Sequence, residues 1–335
     1  MKRVELSHGG GGAETQQLIQ SLFYQAFGNE ILLKSEDAAL LQVEGQIAFT
    51  TDSFTVSPLF FQGGNIGNLA IAGTVNDLAM MAAEPLYLSC AFIIEEGLPW
   101  VELESIVLSM AEELKKCGAK VVCGDTKVVP KGAVDQLFIN TSGIGRVVCD
   151  AILTPSAHQL KQGDAIIVSG DIGRHGAVIL SAREGMDLQS DIVSDCQVLW
   201  PMIKALIDTG VECHALRDAT RGGLSALLNE WAATSQVSIE VQEDQIPIDS
   251  AVQGLCELLG FDALDFANEG SFVLSVPADQ AELALGVLHR FPPCQKATQI
   301  GSVKGFQTGQ VILQTPWGSQ RRLELPKGEL LPRIC

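Results

Sequence analysis

Apolar and polar positions follow two rhythms in this chain, and these divide its first half into short strands and two longer helices. Residues 47–51 and 87–94 are compact runs of β-branched and aromatic residues and are predicted as strands. Between them, residues 65–83 are predicted as a helix made mostly of Ala, Gly, Leu and Met, a composition suited to close packing. Over 99–117 the helical rhythm is clear. Leu103, Ile106, Val107, Met110 and Leu114 fall at i, i+3, i+4, i+7 and i+11, one apolar stripe. Pro99 opens that helix, Lys115 and Lys116 occupy its last turn, and Gly118 ends it. Strands are predicted next at 120–123 and 137–144.

The stretch 150–163 is rich in turn formers, and the domain boundary is expected there. Beyond it, strands are predicted at 165–168, 237–241, 272–276, 298–303 and 311–314. Helices are predicted at 177–183, 194–208, 222–233, 250–259 and 279–290. Adjacent strands mixed with helices point to an α+β fold, not a purely parallel sheet. The expected organisation is therefore an N-terminal domain over 1–150, a C-terminal α+β domain over 151–324 and a mobile tail over 325–335.

Composition narrows the function. At 335 residues the chain is long enough for two cores. A net charge of −18 removes the basic footprint that nucleic acid requires, so no nucleic-acid partner is expected. No apolar h-region follows Met1-Lys2-Arg3, and no run approaches a membrane span, so a cytoplasmic protein is expected. Its nine cysteines include no C-x-x-C pair and read as reduced thiols. Cys213-His214 is a lone neighbour pair, a weak zinc signal.

Acidic residues recur after apolar strands or within small-residue segments: Glu36-Asp37, Asp52, Asn76-Asp77 and Gly124-Asp125. Converging carboxylates would hold Mg²⁺ together with phosphate oxygens, whereas singly each is as well read as a helix or turn cap. His8-Gly9-Gly10-Gly11-Gly12 exposes backbone N–H groups but lacks the Gly-Lys-Ser/Thr of a P-loop. Two further glycine segments, Gly170 to Gly176 with His175 and Arg217 to Gly223 with Asp218 and Arg221, precede helices and suit an anion or an ordinary turn. Glu269, in Asn268-Glu269-Gly270, is a candidate base if buried, and Lys127 a second proton-handling group or a surface ion-pair partner. The chain ends on Pro332-Arg333-Ile334-Cys335. A thiol on an extended ten-residue arm reaches about 33–36 Å and suits a carrier that visits more than one site; the alternative is an incidental last residue.

Together these segments resemble the HypE family of hydrogenase maturation factors, carbamoyl dehydratases related to aminoimidazole ribonucleotide synthetase, selenophosphate synthetase and thiamine-monophosphate kinase. The resemblance rests on Ser7 to Gly12, Thr51-Asp52-Ser53, Asn76-Asp77, Gly124 to Val128, Arg217 to Gly223, Asn268-Glu269-Gly270 and the terminal Pro-Arg-Ile-Cys. Glu36-Asp37 and Gln62-Gly63-Gly64-Asn65 depart slightly from the superfamily pattern. The resemblance implies a mixed-sheet N-terminal domain that forms a homodimer, an α+β C-terminal domain, and an ATP cleft between them. It implies Asp37, Asp52, Asp77 and Asp125 as Mg²⁺–ATP ligands, with Asn76, Gly124, His175, Asp218, Arg221 and Asn268 completing the nucleotide set. It also implies Cys335 as the carrier thiol, carbamoylated by HypF, with Glu269 and Lys127 in catalysis and cyanide delivered to HypC–HypD. The rival readings are an ATP-dependent small-molecule kinase or synthetase of the same superfamily, and a non-catalytic assembly adaptor. The absence of any Cys in residues 1–89 weighs against a selenophosphate synthetase, whose reactive residue lies near the N-terminal glycines.

Overall fold

The computed structural model describes residues 2–148, 155–185, 192–306, 309–326 and 334–335. The centre of the expected boundary and most of the expected tail lie outside the described residues. Two mixed sheets occupy separate stretches of chain. The first has the order β1-β6-β4-β5, from β1 (Ile47–Phe54), β4 (Ala83–Glu95), β5 (Lys120–Val129) and β6 (Leu137–Val147). Only β4 and β5 run parallel in it, joined through α4 (Trp100–Cys117). A two-stranded ribbon, β2 (Phe60–Phe61) with β3 (Gly64–Asn65), leads into α3 (Ile66–Met80).

α3 explains its own composition. Almost every residue in it is buried, because it lies between the first sheet, α4 and the second domain. An ideal Cβ at Gly67 would stand 2.3 Å from the carbonyl oxygen of Ile106 on α4, and one at Gly73 would meet the Phe54 ring at 2.9 Å. Small side chains are therefore what allow the approach. Asn65 caps the helix by accepting from Gly67 N at 2.7 Å, and Ser109 Oγ on α4 donates to the same oxygen at 2.8 Å. On α4 the predicted stripe, Leu103 to Leu114, is the buried face.

The second sheet, order β13-β12-β9-β11-β7-β10-β8, is built from β7 (Ala165–Val168), β8 (Ala215–Asp218), β9 (Val237–Gln242), β10 (Phe272–Val276), β11 (Thr298–Phe306), β12 (Gln310–Gln314) and β13 (Gln320–Arg322). β7 and β10 are buried at every residue, as strands covered on both faces must be. Ile167, Phe272 and Leu274 join a core containing α5 (Arg174–Arg183), α6 (Trp200–Asp208) and α9 (Ala281–Leu288), which is continuous with the first domain. Ile166, Val168 and Val273 point the other way, onto α7 (Gly223–Ser235). α8 (Ser250–Leu259) lies against α5.

Three differences from the sequence reading matter. The helix expected over 194–208 begins only at Trp200, because residues 194–199 run irregularly between the two domains. β8, four residues long, was not predicted, and it carries Asp218. Helical turns also occupy residues 13–27, as α1 (Ala13–Leu18), a π turn (Ile19–Phe23) and α2 (Tyr24–Phe27), burying Leu18, Leu22, Phe23 and Phe27.

Gly67→Ala is expected to destabilise the chain by about 1–3 kcal/mol through overpacking of α3 on α4. Urea denaturation at equilibrium checks this, and an unchanged midpoint would contradict the close approach.

Candidate active site

β1 ends where the two domains meet, and its alternation turns Thr50 and Asp52 toward α3. Thr50 Oγ1 donates to Asp77 Oδ2 at 2.7 Å, and the carboxyls of Asp52 and Asp77 share a hydrogen bond. Two acids can share such a bond only if one of them holds a proton. Burial, reinforced by the Asp77 charge, pushes Asp52 up to about 6, against an opposing pull from Arg221. The second domain adds two more acids. Asp218, at the end of β8, is pushed up to about 7, first by burial and then by Asp77. Glu269 is fully enclosed and lies far above the usual carboxylate range, because burial is compounded by Asp218, Asp195 and Asp52. These carboxyls act on one another against two guanidiniums, Arg221 on Asp52 and Glu269 and Arg217 on Asp218.

Glu269 is held rigidly. Its N–H and that of Gly270 donate to the Asp195 carboxylate at 3.1 and 3.0 Å. Asn76 Nδ2 donates to the Glu269 carbonyl at 3.4 Å and to the Gln197 carbonyl at 3.0 Å, while Asn76 Oδ1 accepts from Leu199 N at 2.8 Å. Gly270 must lack a side chain, since a Cβ there would stand 1.6 Å from the Asp195 carbonyl oxygen. Asn268 accepts from Gly173 N at 2.7 Å and donates to the Ala219 carbonyl at 2.9 Å. Asn76 and Asn268, expected against nucleotide, thus spend their amides on tying the two domains and the Glu269 loop together.

The last two residues enter this cluster. Ile334 is buried in the shared core, and Cys335 is half-buried against it. Arg221, Glu269 and Asp52 lie close enough to the Cys335 thiol to act on it electrostatically. Burial, followed by the Glu269 charge, pushes that thiol up to about 12. His175, also expected against nucleotide, is fully buried with one ring nitrogen on Ser194 and the other on the Ile334 carbonyl.

The remaining expected residues lie elsewhere. A cavity of about 1020 Å³ is lined by Gly9, Gly10, Gly11, Asp37, Gly124, Asp125 and Lys127, with Phe23, Phe27 and Phe92 on its apolar wall. Lys127 Nζ pairs with Asp125 at 3.1 Å. Asp52 and Asp125 stand on opposite edge strands of the first sheet with two strands between, a separation of about 14 Å at ordinary strand spacing. One chain therefore holds Asp37 with Asp125 and Asp52 with Asp77 as two groups, not one. Among the described residues no three His, Cys, Asp or Glu side chains gather closely enough to hold a metal by themselves. His214 lies between Asp164 and Glu212, at 2.7 and 2.9 Å. Asp195, Ser194 and Thr55 escaped the sequence reading. The first two fall in the stretch read as helix, and all three act on backbone groups, which leaves no motif.

The raised carboxyls make a signed prediction. Asp52 and Asp218 bind protons more tightly folded than unfolded, so stability is full below about pH 4 and is lost as pH rises through about 6 to 7. Without nucleotide, Asp218→Asn should melt higher than the parent at about pH 8, by roughly 2–4 °C per kcal/mol relieved, and no higher at about pH 4. Calorimetry at both pH values checks this, and an equal shift at both would rule out charge as the cause.

The chain matches AIR synthase related proteins in both of their domains, the N-terminal over residues 35–147 and the C-terminal over 161–314. It is 50% identical to the carbamoyl dehydratase HypE of Escherichia coli K12, over all of both chains. A crystal structure of hydrogenase maturation protein HypE in complex with ATP superposes with a TM-score of 0.95 at 45% identity, covering 99% of each chain. A crystal structure of a HypE–HypF complex does so with a TM-score of 0.81 at 45% identity, covering 94% of this chain and 100% of that one. With both domains matched and half of all residues identical over the full length of a relative, the chain belongs to the HypE family of carbamoyl dehydratases, within the AIR synthase related proteins.

Proposed function

We propose that the chain converts an S-carbamoyl group on Cys335 into a thiocyanate at the expense of ATP, supplying the cyanide ligands of [NiFe]-hydrogenase iron. The observation that carries this reading is the docking of Ile334 and Cys335 at the seam, which brings the thiol within electrostatic reach of Arg221, Glu269 and Asp52. Dehydrating S–C(=O)–NH₂ requires its oxygen to leave, and oxide leaves poorly. Transfer of a phosphoryl group from ATP to that oxygen makes phosphate the leaving group, a step governed by positioning and charge neutralisation. Removing the two nitrogen protons then forms C≡N as the C–O bond breaks.

Glu269 is the favoured base. Its charge reaches the sulfur, and enclosure makes its carboxylate, once deprotonated, a stronger base than an exposed Glu. Lys127 lines the large cavity instead, paired with Asp125. That cavity is the proposed ATP site on the strength of its glycine run and aromatic wall; ATP binding as such is supported by the ATP complex of the relative at 45% identity. The Asp52–Asp77 pair fits Mg²⁺: hard oxygen donors already sharing a proton that a cation would displace, with phosphate supplying further oxygens. Mg²⁺ there would neutralise charge during phosphoryl transfer.

We infer a homodimer through the open face of the first sheet. α3 covers one face; the other carries Phe49 and Ile47 on β1 and, towards the opposite end of the sheet, Ile93 on β4, 67%, 51% and 40% exposed. HypF as carbamoyl donor is supported by the HypE–HypF complex, and HypC–HypD is the proposed acceptor. No described helix is long and apolar enough to cross a membrane, and none of the described cysteines is in a disulfide; work in the cytoplasm is proposed on the reduced thiols.

Incubation with HypF, carbamoyl phosphate and ATP should give a carbamoylated C-terminal peptide that then loses one water, read by mass spectrometry. Cys335→Ser should carry no such product, and Glu269→Gln should accumulate the carbamoylated form with water loss slowed about 10²-fold or more. Hydrogenase maturation that persists in Cys335→Ser would favour the adaptor reading. Phe49→Glu should shift the chain from dimer to monomer in light scattering, weakening association about tenfold or more. Retention of the dimer would move the interface elsewhere.

A further inference from the structure

We propose that Ser194, His175 and Thr55 form a latch that grips the main chain of Ile334 and Cys335 and so positions the thiol, an inference that rests on the reaction proposed above. A carbonyl oxygen only accepts, so His175 Nε2, 2.9 Å from the Ile334 carbonyl, carries the ring proton. Nδ1 then accepts from the Ser194 hydroxyl at 2.8 Å, and Ser194 Oγ in turn accepts from Cys196 N at 3.1 Å. Phe61 stands edge-on to the ring, 5.4 Å between centroids at 89°. Burial holds the imidazole neutral. Ring orientation is thus held by the body of the protein, and the docked Ile334 carbonyl selects the tautomer.

From the other domain, just beyond β1, Thr55 donates to the Cys335 main-chain oxygen through its N–H at 3.0 Å and its hydroxyl at 3.3 Å. Ile334, 5% exposed, supplies the apolar anchor. None of these contacts involves the sulfur. The latch therefore binds a free and a carbamoylated tail alike and leaves the substituent to Glu269, Asp52 and Arg221. His175 and Thr55 are positioning residues, and they clasp the tail from opposite domains.

The test reads docking without chemistry: native full-length chain is treated with iodoacetamide, and the C-terminal peptide is followed by mass spectrometry. In the parent, Cys335 should label slowly. His175→Leu, which cannot donate, should label about tenfold faster, and Ile334→Gly, which leaves the body untouched, should do the same. His175→Gln, whose amide can still reach the carbonyl, should stay within about threefold of the parent. Parental labelling of Ile334→Gly overturns the latch, as does equal acceleration in the Leu and Gln variants, which would mean general loosening. Should His175→Leu fail to fold, Ile334→Gly decides. Labelling needs neither HypF nor ATP: parental labelling of Ile334→Gly with water loss intact in the parent sinks the latch alone, whereas faster labelling of Ile334→Gly with no water loss even in the parent keeps the latch and sinks the reaction.

Discussion

Like charges confined at the seam of two domains set the terms for this molecule. Asp52 and Asp77 come from the first domain, Asp218 and Glu269 from the second, and Arg221 is the cation that acts on Asp52, Glu269 and the thiol. In water such acids would ionise and separate. Here the fold forbids separation, so some of them keep protons near neutrality. The residues that enforce the arrangement are neutral amides and main-chain groups: Asn76 bridging to the Gln197 and Glu269 carbonyls, Asn268 joining Gly173 to Ala219, and the Glu269 and Gly270 amides on Asp195. Stability is given up at the seam so that a carboxyl of unusual basicity faces a sulfur.

The same economy governs packing. α3 has no polar face to spare, and its glycines let the α4 backbone and the Phe54 ring approach its own main chain. A helix so enclosed transmits the position of Asp77 faithfully from sheet to seam, because interiors at this density do not yield to small displacements.

Periodic elements were legible in the sequence because burial writes itself as spacing. The α4 stripe, β10 and α8 stand where the rhythm of apolar residues put them. The helix expected from 194 was misplaced because Val198 and Leu199 are apolar for a different reason: they sit in the shared core while the backbone of 194–199 is used for bracing. The helical turns over 13–27 passed unread beside the glycine run, although Leu18, Leu22 and Phe27 carried a helical signal. In the site, Asp52, Asp77, Asp218, Arg221, Glu269 and Cys335 were each visible as residue types next to strands or turns. Their division from Asp37, Asp125 and Lys127 was not, because strand order is a property of the sheet and not of any motif.

Because the tail is clasped through its main-chain oxygens, its occupancy of the cleft and its availability to other proteins are one equilibrium. A partner that must take hold of the Cys335 sulfur meets only the undocked fraction, and its apparent affinity falls by that fraction. Whatever tightens docking weakens capture to the same degree, and a partner that holds the tail outside opposes docking equally. Timing between catalysis and delivery can therefore be set by the strength of two main-chain hydrogen-bonding sites, with no separate signal.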